Sequence, residues 1–172
     1  ADAALSVSGG TIWIVQSYEG LEAAQIEISG GEISIVSHDD GINAAGGSDG
    51  NPSDNRDDGF TSGMRPEIRI SGGRILVDAE GDGLDANGVI AVTDGTVLVS
   101  GPTDDANGAV DYDDTALISG GMVVAAGSAG MAVNFSSDSA QGAILYYLPH
   151  PCTGGTRITL TDSQGLVLLS WV

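Results

Sequence analysis

Acidic and amide side chains flank glycine corners at regular intervals in this chain. Three corners share one pattern and read Glu19-Gly-Leu-Glu22, Asp40-Gly-Ile-Asn43 and Asp82-Gly-Leu-Asp85. Aligned on the glycine, they form two columns: Glu19, Asp40 and Asp82 in the first, and Glu22, Asn43 and Asp85 in the second. Asp39 precedes the first column. Calcium takes roughly six to eight oxygen ligands from carboxylates, amides, carbonyls and water, so oxygen donors in columns predict a calcium site.

A fourth corner follows the same pattern with an insertion of four residues. The insertion places Asp111 in the second column, Asp104 and Asp105 near the first, and Asp113 level with Asn87. The chain has no cluster of Cys and His, which disfavours zinc and iron. Manganese or magnesium is an alternative occupant, and a solvated acidic face without any metal is the other interpretation.

The elements that position these corners come from an internal repeat. The phrase Ile/Leu-x-Ile/Val-Ser/Thr-Gly/Asp-Gly-x-Ile/Val-x-Ile/Val occurs four times, with a looser fifth copy. Its second glycine falls at positions 10, 31, 73, 95 and 121, so the steps are 21, 42, 22 and 26 residues. Alternation of apolar residues has the period of a strand, and the glycine permits a positive φ and a sharp corner.

The repeat predicts the fold. A fixed period in this range is typical of a solenoid, and strands joined by corners predict a right-handed parallel β-helix of coils of about 21 residues. Coils stacked about 4.8 Å apart would bring column members together, where bare carboxylates repel unless a cation lies between them. The alternative fold is an antiparallel sandwich of short strands.

The composition disfavours several classes of function and structure. The 172 residues carry 24 acids and 5 bases, all Arg, for a net charge of −19, which repels nucleic acid and anionic membrane surfaces. No apolar run is long enough for a membrane span. The single cysteine, Cys152, excludes an internal disulfide. The length predicts one domain over residues 1–172.

Two segments interrupt the repeat. Residues 46–67 replace one coil with an acidic, glycine-rich insertion whose Asp57-Asp58-Gly59 echoes the corner at Asp39, so a further metal and a flexible loop are both open interpretations. In residues 143–172, the polar turn Asp162–Gly165 separates Arg157–Thr161 from an apolar end, which predicts terminal strands or a hairpin.

The corners and their order resemble a clostridial family of calcium-binding parallel β-helix proteins, the carbohydrate-binding domain-containing proteins. The matching phrases include Ser17 to Glu22, Ser37 to Gly47, Gly81 to Gly88, Gly120 to Ala132 and Leu160 to Gly165. The resemblance covers nearly the whole chain. It implies a fold related to polysaccharide lyases, bound calcium, affinity for cellulose or pectic acid, and secretion to the cell surface.

Three functions follow as expectations. The first is non-catalytic carbohydrate binding, with Trp13 and Tyr18 as candidate sugar platforms and calcium bridging acidic glycans. The second is a structural subunit that stacks head to tail through its coil ends into a calcium-dependent filament, because neither end shows a capping helix. The third is a polysaccharide lyase. The absence of lysine disfavours it and leaves only Arg69 or Arg74 as a base.

Overall fold

The computed structural model describes residues 4–45 and 65–172, and the secondary structure of these residues consists of β-strands and turns. The insertion interpreted above as a loop or a metal-binding segment lies, from residue 46 to residue 64, outside the described residues. The twelve strands are β1 (Ala4–Ser17), β2 (Leu21–Glu22), β3 (Gln25–Ser37), β4 (Ile42–Ala44), β5 (Glu67–Ala79), β6 (Leu84–Ala86), β7 (Val89–Ser100), β8 (Val110–Tyr112), β9 (Thr115–Ile118), β10 (Met122–Ala126), β11 (Ile158–Thr161) and β12 (Val167–Trp171).

Two parallel sheets contain ten of these strands. The large sheet has the order β1-β3-β5-β7-β10, with β9 also paired to β7, and the small sheet has the order β2-β4-β6-β8. Because β3 pairs directly with β5, no strand of the large sheet lies between the second and third repeats. The described part of the chain is therefore all-β with mainly parallel pairing, and the antiparallel sandwich is wrong for these two sheets.

Four of the five glycine corners lie inside the long strands, and Gly121 directly precedes β10. Gly10, Gly31, Gly73, Gly95 and Gly121, the second glycines of the five repeat copies, all have positive φ between 74° and 101°. The strand register shifts around the first four, so each long strand bends there while its two halves keep pairing with the next repeat. The corner that the sequence predicts at this glycine is confirmed.

The core consists of aligned apolar rungs. Parallel register places Val7, Ile28, Ile70, Val92 and Ile118 next to one another in successive strands. Ile28 and Ile70 are fully buried. Burial alternates along β3 and β5, so every second side chain faces the same interior. Hydrophobic burial between the sheets thus holds the polar corners at a constant spacing.

The chain after β10 differs in its pairing. β11 and β12 form an antiparallel pair, with Ile158 opposite Trp171 and Leu160 opposite Leu169, where the sequence predicts a terminal hairpin. They contact chiefly each other. A helix of the length and hydropathy needed to span a bilayer is absent from residues 4–45 and 65–172.

Candidate metal centre

The small sheet carries one continuous row of polar side chains. Its register pairs Glu22 with Asn43, Asn43 with Asp85, and Asp85 with Asp111. Parallel neighbours in a sheet lie about 4.8 Å apart, so these four side chains follow one another along the stacking direction. The second column that the spacing predicts is therefore present as a row, and its role in binding a metal remains a prediction.

The first column forms at the turns that precede the small strands. Backbone amides of three corner glycines donate to carbonyl oxygens of the following repeat: Gly20 N to Asp40 O, Gly41 N to Asp82 O, and Gly83 N to Gly108 O. These bonds place Glu19, Asp40 and Asp82 at equivalent positions. Gly108 takes the fourth position, so the column ends in a backbone amide rather than in another acid.

Backbone amides orient the acids of this column. Oδ1 of Asp40 accepts the backbone N–H of Asp82 at 2.8 Å, and Oδ1 of Asp82 accepts that of Gly108 at 2.5 Å. Oδ2 of Asp40 accepts a hydrogen bond from Nδ2 of Asn43 at 3.0 Å. Each carboxylate is therefore held by the repeat that follows it. The site exists only when the repeats are stacked.

Three carboxylates converge between the two columns. One ligand oxygen from each of Asp40, Asp82 and Asp85 lies within 4.8 Å of the other two. Asp40 is 9% exposed, whereas Asp82 and Asp85 are partly buried. Oxygens at this separation can share one cation of calcium size, because calcium–oxygen distances are about 2.3–2.6 Å.

The pKa values of the group reflect this crowding. Burial, and to a lesser extent the charges of the neighbouring acids, raises the pKa of Asp85 to about 7; these neighbours are Asp40, Asp82, Asp111 and Asp113. Burial is also the main reason that the pKa of Asp40 is raised to about 6 and that of Asp82 is raised. Negative charge here is costly without a cation, since proximity to other carboxylates and desolvation act in the same direction.

Glu19 extends the group toward the first repeat. Burial raises its pKa to about 7, followed by the charges of Asp40 and Asp39, while the amide of Asn43 lowers it. Its Oε2 is buried and has no hydrogen-bond partner in the described part of the chain. A buried carboxylate oxygen without a partner destabilises the folded state unless a ligand contacts it.

Asn43 supplies a second unpartnered oxygen. The residue is 8% exposed, and its Oδ1 is buried and lacks a hydrogen-bond partner among residues 4–45 and 65–172. Its Nδ2 already binds Asp40, so the amide lies against the acid group. A buried amide oxygen in this position has the chemistry of a calcium ligand.

The remaining predicted ligands lie around the rim. Asp39 accepts a hydrogen bond from the Tyr18 hydroxyl, which raises the pKa of Tyr18. Asp104 is exposed and accepts the backbone N–H of Ala106. Asp105 accepts the Ser128 hydroxyl, and Asp113 is exposed. Asp111 continues the row of the small sheet after Asp85 and accepts the backbone N–H of Tyr112.

Two features of the site escaped the sequence analysis. The alignment could not locate the insertion in the fourth corner, so it did not show that Gly108 rather than Asp104 or Asp105 follows Asp82. The packing role of Gly81 was also missed. A Cβ at Gly81 would lie 2.6 Å from Oδ1 of Asp40 and 2.7 Å from Oδ1 of Asp39, so only glycine admits both carboxylates there. In the sequence, the aligned acids were the feature that could have indicated this packing.

A second polar feature lies on the outer face of the large sheet. Register aligns Trp13 with Ser34 and Ser34 with Leu76, and these residues line a shallow groove with Glu32 and Arg74. Trp13 is 76% exposed. Of the candidate platforms, Trp13 therefore presents an open indole face, whereas the hydroxyl of Tyr18 is engaged by Asp39.

Comparisons of the chain with protein-family models, curated proteins and solved structures give no match.

Proposed function

We propose that the chain is a right-handed parallel β-helix whose acid columns bind calcium and whose outer face binds carbohydrate without catalysis. The β-helix is supported by the repeat of one long and one short strand, each paired in parallel with its counterpart in the next repeat. Right-handedness follows from the strong preference of parallel crossover connections for that hand.

Calcium is supported above all by the unpartnered oxygen of Asn43. A solvated acidic face would leave its polar atoms in water. Within the described part of the chain, Oδ1 of Asn43 and Oε2 of Glu19 are instead buried without partners near the converging carboxylates of Asp40, Asp82 and Asp85. The donor set offers only oxygen, which suits calcium and suits zinc or iron poorly. Magnesium and manganese fit less well because magnesium favours a tighter octahedral shell.

The test is thermal unfolding in calcium and in chelator. Ligand that binds only the folded state stabilises it by mass action, so chelation should lower the Tm by many degrees. Asp82→Asn with Asp85→Asn should abolish the calcium-dependent shift. The matched control is Asp78→Asn with Asp138→Asn, which removes the same charge from two exposed sites and should keep the shift. Equal Tm values with calcium and with chelator would refute the calcium proposal.

Carbohydrate binding is supported by the groove at Trp13. An exposed indole beside a guanidinium and a carboxylate offers a stacking face with polar groups at its edge, which suits a sugar ring. Sedimentation with insoluble cellulose, and gel retardation in polygalacturonate with calcium, would measure binding. Trp13→Ala should abolish retention, whereas Tyr146→Ala, which removes another exposed aromatic ring, should preserve it. Retention that is unchanged by Trp13→Ala would contradict this assignment.

A non-catalytic role agrees with the environment of the basic residues. Arg69 donates to Glu67 at 2.5 Å, and a guanidinium stays protonated at neutral pH, so it cannot serve as a general base. A cell-surface location suits a calcium-dependent fold, because extracellular calcium modules work at calcium concentrations that the cytosol does not reach. Release of unsaturated uronate from polygalacturonate by the purified protein would revive the lyase alternative.

The second candidate function is a structural subunit. It is favoured by the exposed apolar side chains after β10, which include Ile144 at 75% and Tyr146 at 72% exposure. Contiguous apolar surface of this kind marks an interaction site in a folded protein.

A further inference from the structure

The first strand of the large sheet, β1, is only partly covered by the residues that the structure describes. Among the described residues, β1 pairs only with β3. The interior side chains Leu5, Ile12 and Ile14 are partly buried, whereas their register partners in β3 are 1% to 2% exposed. A long strand with one unpaired edge and a half-open apolar rung can accept a further strand.

The surroundings of Gly9 also indicate that β1 can accept a further strand. At the equivalent glycines Gly30, Gly72 and Gly120, a Cβ would lie 2.8, 2.4 and 2.2 Å from a carbonyl oxygen of the preceding repeat. At Gly9 a Cβ would meet no atom of residues 4–45 and 65–172 within 4 Å, and φ there is not positive. Glycine at this position thus has no role within the described chain, but it would admit a neighbouring backbone as its counterparts do.

The opposite end of the stack exposes apolar side chains. Ile144–Leu148 runs beside residues 132–134, through hydrogen bonds from Asn134 to Ala143 and from Tyr147 to Ala132. All five of its side chains are at least 40% exposed. Leu166, Val167 and Leu168 are also exposed, at 64%, 55% and 58%. We call Ile144–Leu148 the C-terminal apolar surface, whereas Leu166–Leu168 belong to the separate hairpin of β11 and β12.

Charge distinguishes these two surfaces from the rest of the molecule. Of the 24 acidic and 5 basic residues, none lies in β1, and only Arg157 and Asp162 lie in residues 139–172. Copies of a chain with a net charge of −19 repel one another through most surfaces. Contact between β1 and the C-terminal apolar surface brings no net charge together.

We propose that β1 of one copy docks against the C-terminal apolar surface of a second copy, so that each surface covers the exposed apolar side chains of the other. The inference rests on the parallel β-helix proposed above and is independent of the cation. The two surfaces differ and lie at opposite ends of the stack, so the contact is heterologous and leaves both ends of each dimer free to add further copies.

The experiment separates the two surfaces with two variants of the whole chain. Gly9→Val adds a side chain where the monomer has open space and should block β1. Ile144→Glu with Tyr146→Glu adds charge to exposed positions and should block the C-terminal apolar surface. Gly154→Val and Ser100→Glu with Thr103→Glu are the matched controls, because they make the same changes at open or exposed positions outside both surfaces.

Analytical ultracentrifugation and electron microscopy give the readout. The unaltered chain and both controls should form concentration-dependent linear polymers, and each blocked variant alone should be monomeric. A mixture of the two blocked variants should stop at a one-to-one dimer, because only one intact pair of surfaces remains. An unaltered chain that stays monomeric, a blocked variant that still polymerises, or a mixture that stays monomeric would overturn the proposal.

The same variants separate this inference from the calcium proposal. Each blocked variant should keep its calcium-dependent Tm shift as a monomer, because its acid columns are unaltered. A blocked variant that no longer polymerises but keeps the Tm shift would therefore have lost docking only. If the unaltered chain shows no calcium-dependent Tm shift, the calcium proposal alone is refuted.

Discussion

The stacked repeats and the segment after β10 have similar runs of apolar residues but bury them to different extents. In the repeats, Ile28, Ile70 and Ile90 are fully buried, because a strand of the next repeat lies on each side. In the later segment, Ile144 and Leu168 are 75% and 58% exposed. The comparison shows that a run of apolar residues does not by itself create a core. A neighbour in register is also required, because only then does each rung cover the next.

The acidic residues are also distributed differently between the stacked repeats and the later segment. The repeats hold Asp40, Asp82 and Asp85 within a few ångströms of one another, and the interior ladder keeps them there despite their repulsion. The segment from residue 139 onward contains a single acid, Asp162, whose carboxylate accepts backbone amides of its own turn. The repeats are therefore the region that a cation can stabilise, and the later segment is the region that a partner can cover.

Charge inserted into the ladder should produce the largest difference between the regions. Ile70→Asp places an unpaired carboxylate at a fully buried position and should destabilise the fold by roughly 3–5 kcal/mol, enough to unfold much of the protein. Leu168→Asp should change stability by less than about 0.5 kcal/mol, because its side chain is exposed. Urea unfolding followed by circular dichroism measures both. Similar losses in the two variants would show that the regions do not differ in this way.

Calcium should protect one region only. At a free calcium concentration of about 100 times the Kd, the folded repeats gain about 2.7 kcal/mol, so amide exchange through unfolding should slow about 100-fold in β4 and β6. Amides of β11 and β12 should exchange at the same rate with and without calcium, since no acid column reaches them. Hydrogen exchange by mass spectrometry resolves the two regions. Equal slowing in both would mean that they unfold as one unit.

Added methyl groups should distinguish a packed glycine from an open one. A Cβ at Gly30 lies 2.8 Å from the carbonyl oxygen of Ser8, so Gly30→Ala should cost about 1–3 kcal/mol through strain between repeats. Gly154→Ala meets nothing within 4 Å and should be neutral. Thermal unfolding of the two variants gives the comparison. A neutral Gly30→Ala would show that the repeats can separate locally at little cost.

Acidification of the metal-free protein should have the smallest effect on stability. It should stabilise the protein, whereas acid ordinarily destabilises proteins. The carboxyl pKa values of Asp40, Asp85 and Glu19 are raised on folding, from 3.8 or 4.5 to about 6 or 7, so the folded state binds more protons between these values. The stabilisation that these carboxyl groups contribute is fully present below about pH 4 and is lost as the pH rises toward 7. In chelator, lowering the pH from 7.5 to 5.5 should therefore stabilise the protein by about 1 kcal/mol, after allowance for coupling and solvent screening.

Calcium should reverse this dependence, because the cation binds the ionised carboxylates and competes with protons. The calcium-dependent Tm shift should accordingly shrink as the pH falls from 7.5 to 5.5. Asp82→Asn with Asp85→Asn should flatten the metal-free pH dependence. A metal-free protein whose Tm falls on acidification through this range would contradict the burial of the acid group.

Much of the repeat architecture could be predicted from spacing. The alignment on glycine places Glu22, Asn43, Asp85 and Asp111 in one row, and the strand register of the small sheet pairs them in that order. This works because in-register parallel pairing brings equivalent positions of successive repeats together. The fourth corner was less predictable, since the insertion moves Asp104 and Asp105 to exposed turns and leaves Gly108 next to Asp82.

Other features of the site depend on contacts that no local pattern contains. Asn43 belongs to the second column by its spacing, but its burial and its unpartnered Oδ1 depend on how Asp40 and the neighbouring repeats pack around it. The exposed state of Ile144 and Tyr146 is equally invisible in the sequence, where both lie in a continuous apolar run of the kind that is often buried. Both properties depend on which surfaces remain uncovered after the repeats have stacked.

The sequence by itself determined the period, the glycine corners and the order of the polar columns, because side-chain alternation and the positive φ of glycine act within a few residues. Tertiary structure alone decided which acids converge and lose solvent, and which apolar side chains stay exposed. Asp40 and Asp82 are 42 positions apart, and their pKa values, hydrogen bonds and separation exist only once parallel pairing has brought two repeats together. Desolvation and charge repulsion depend on distance in space, which the chain acquires only by folding.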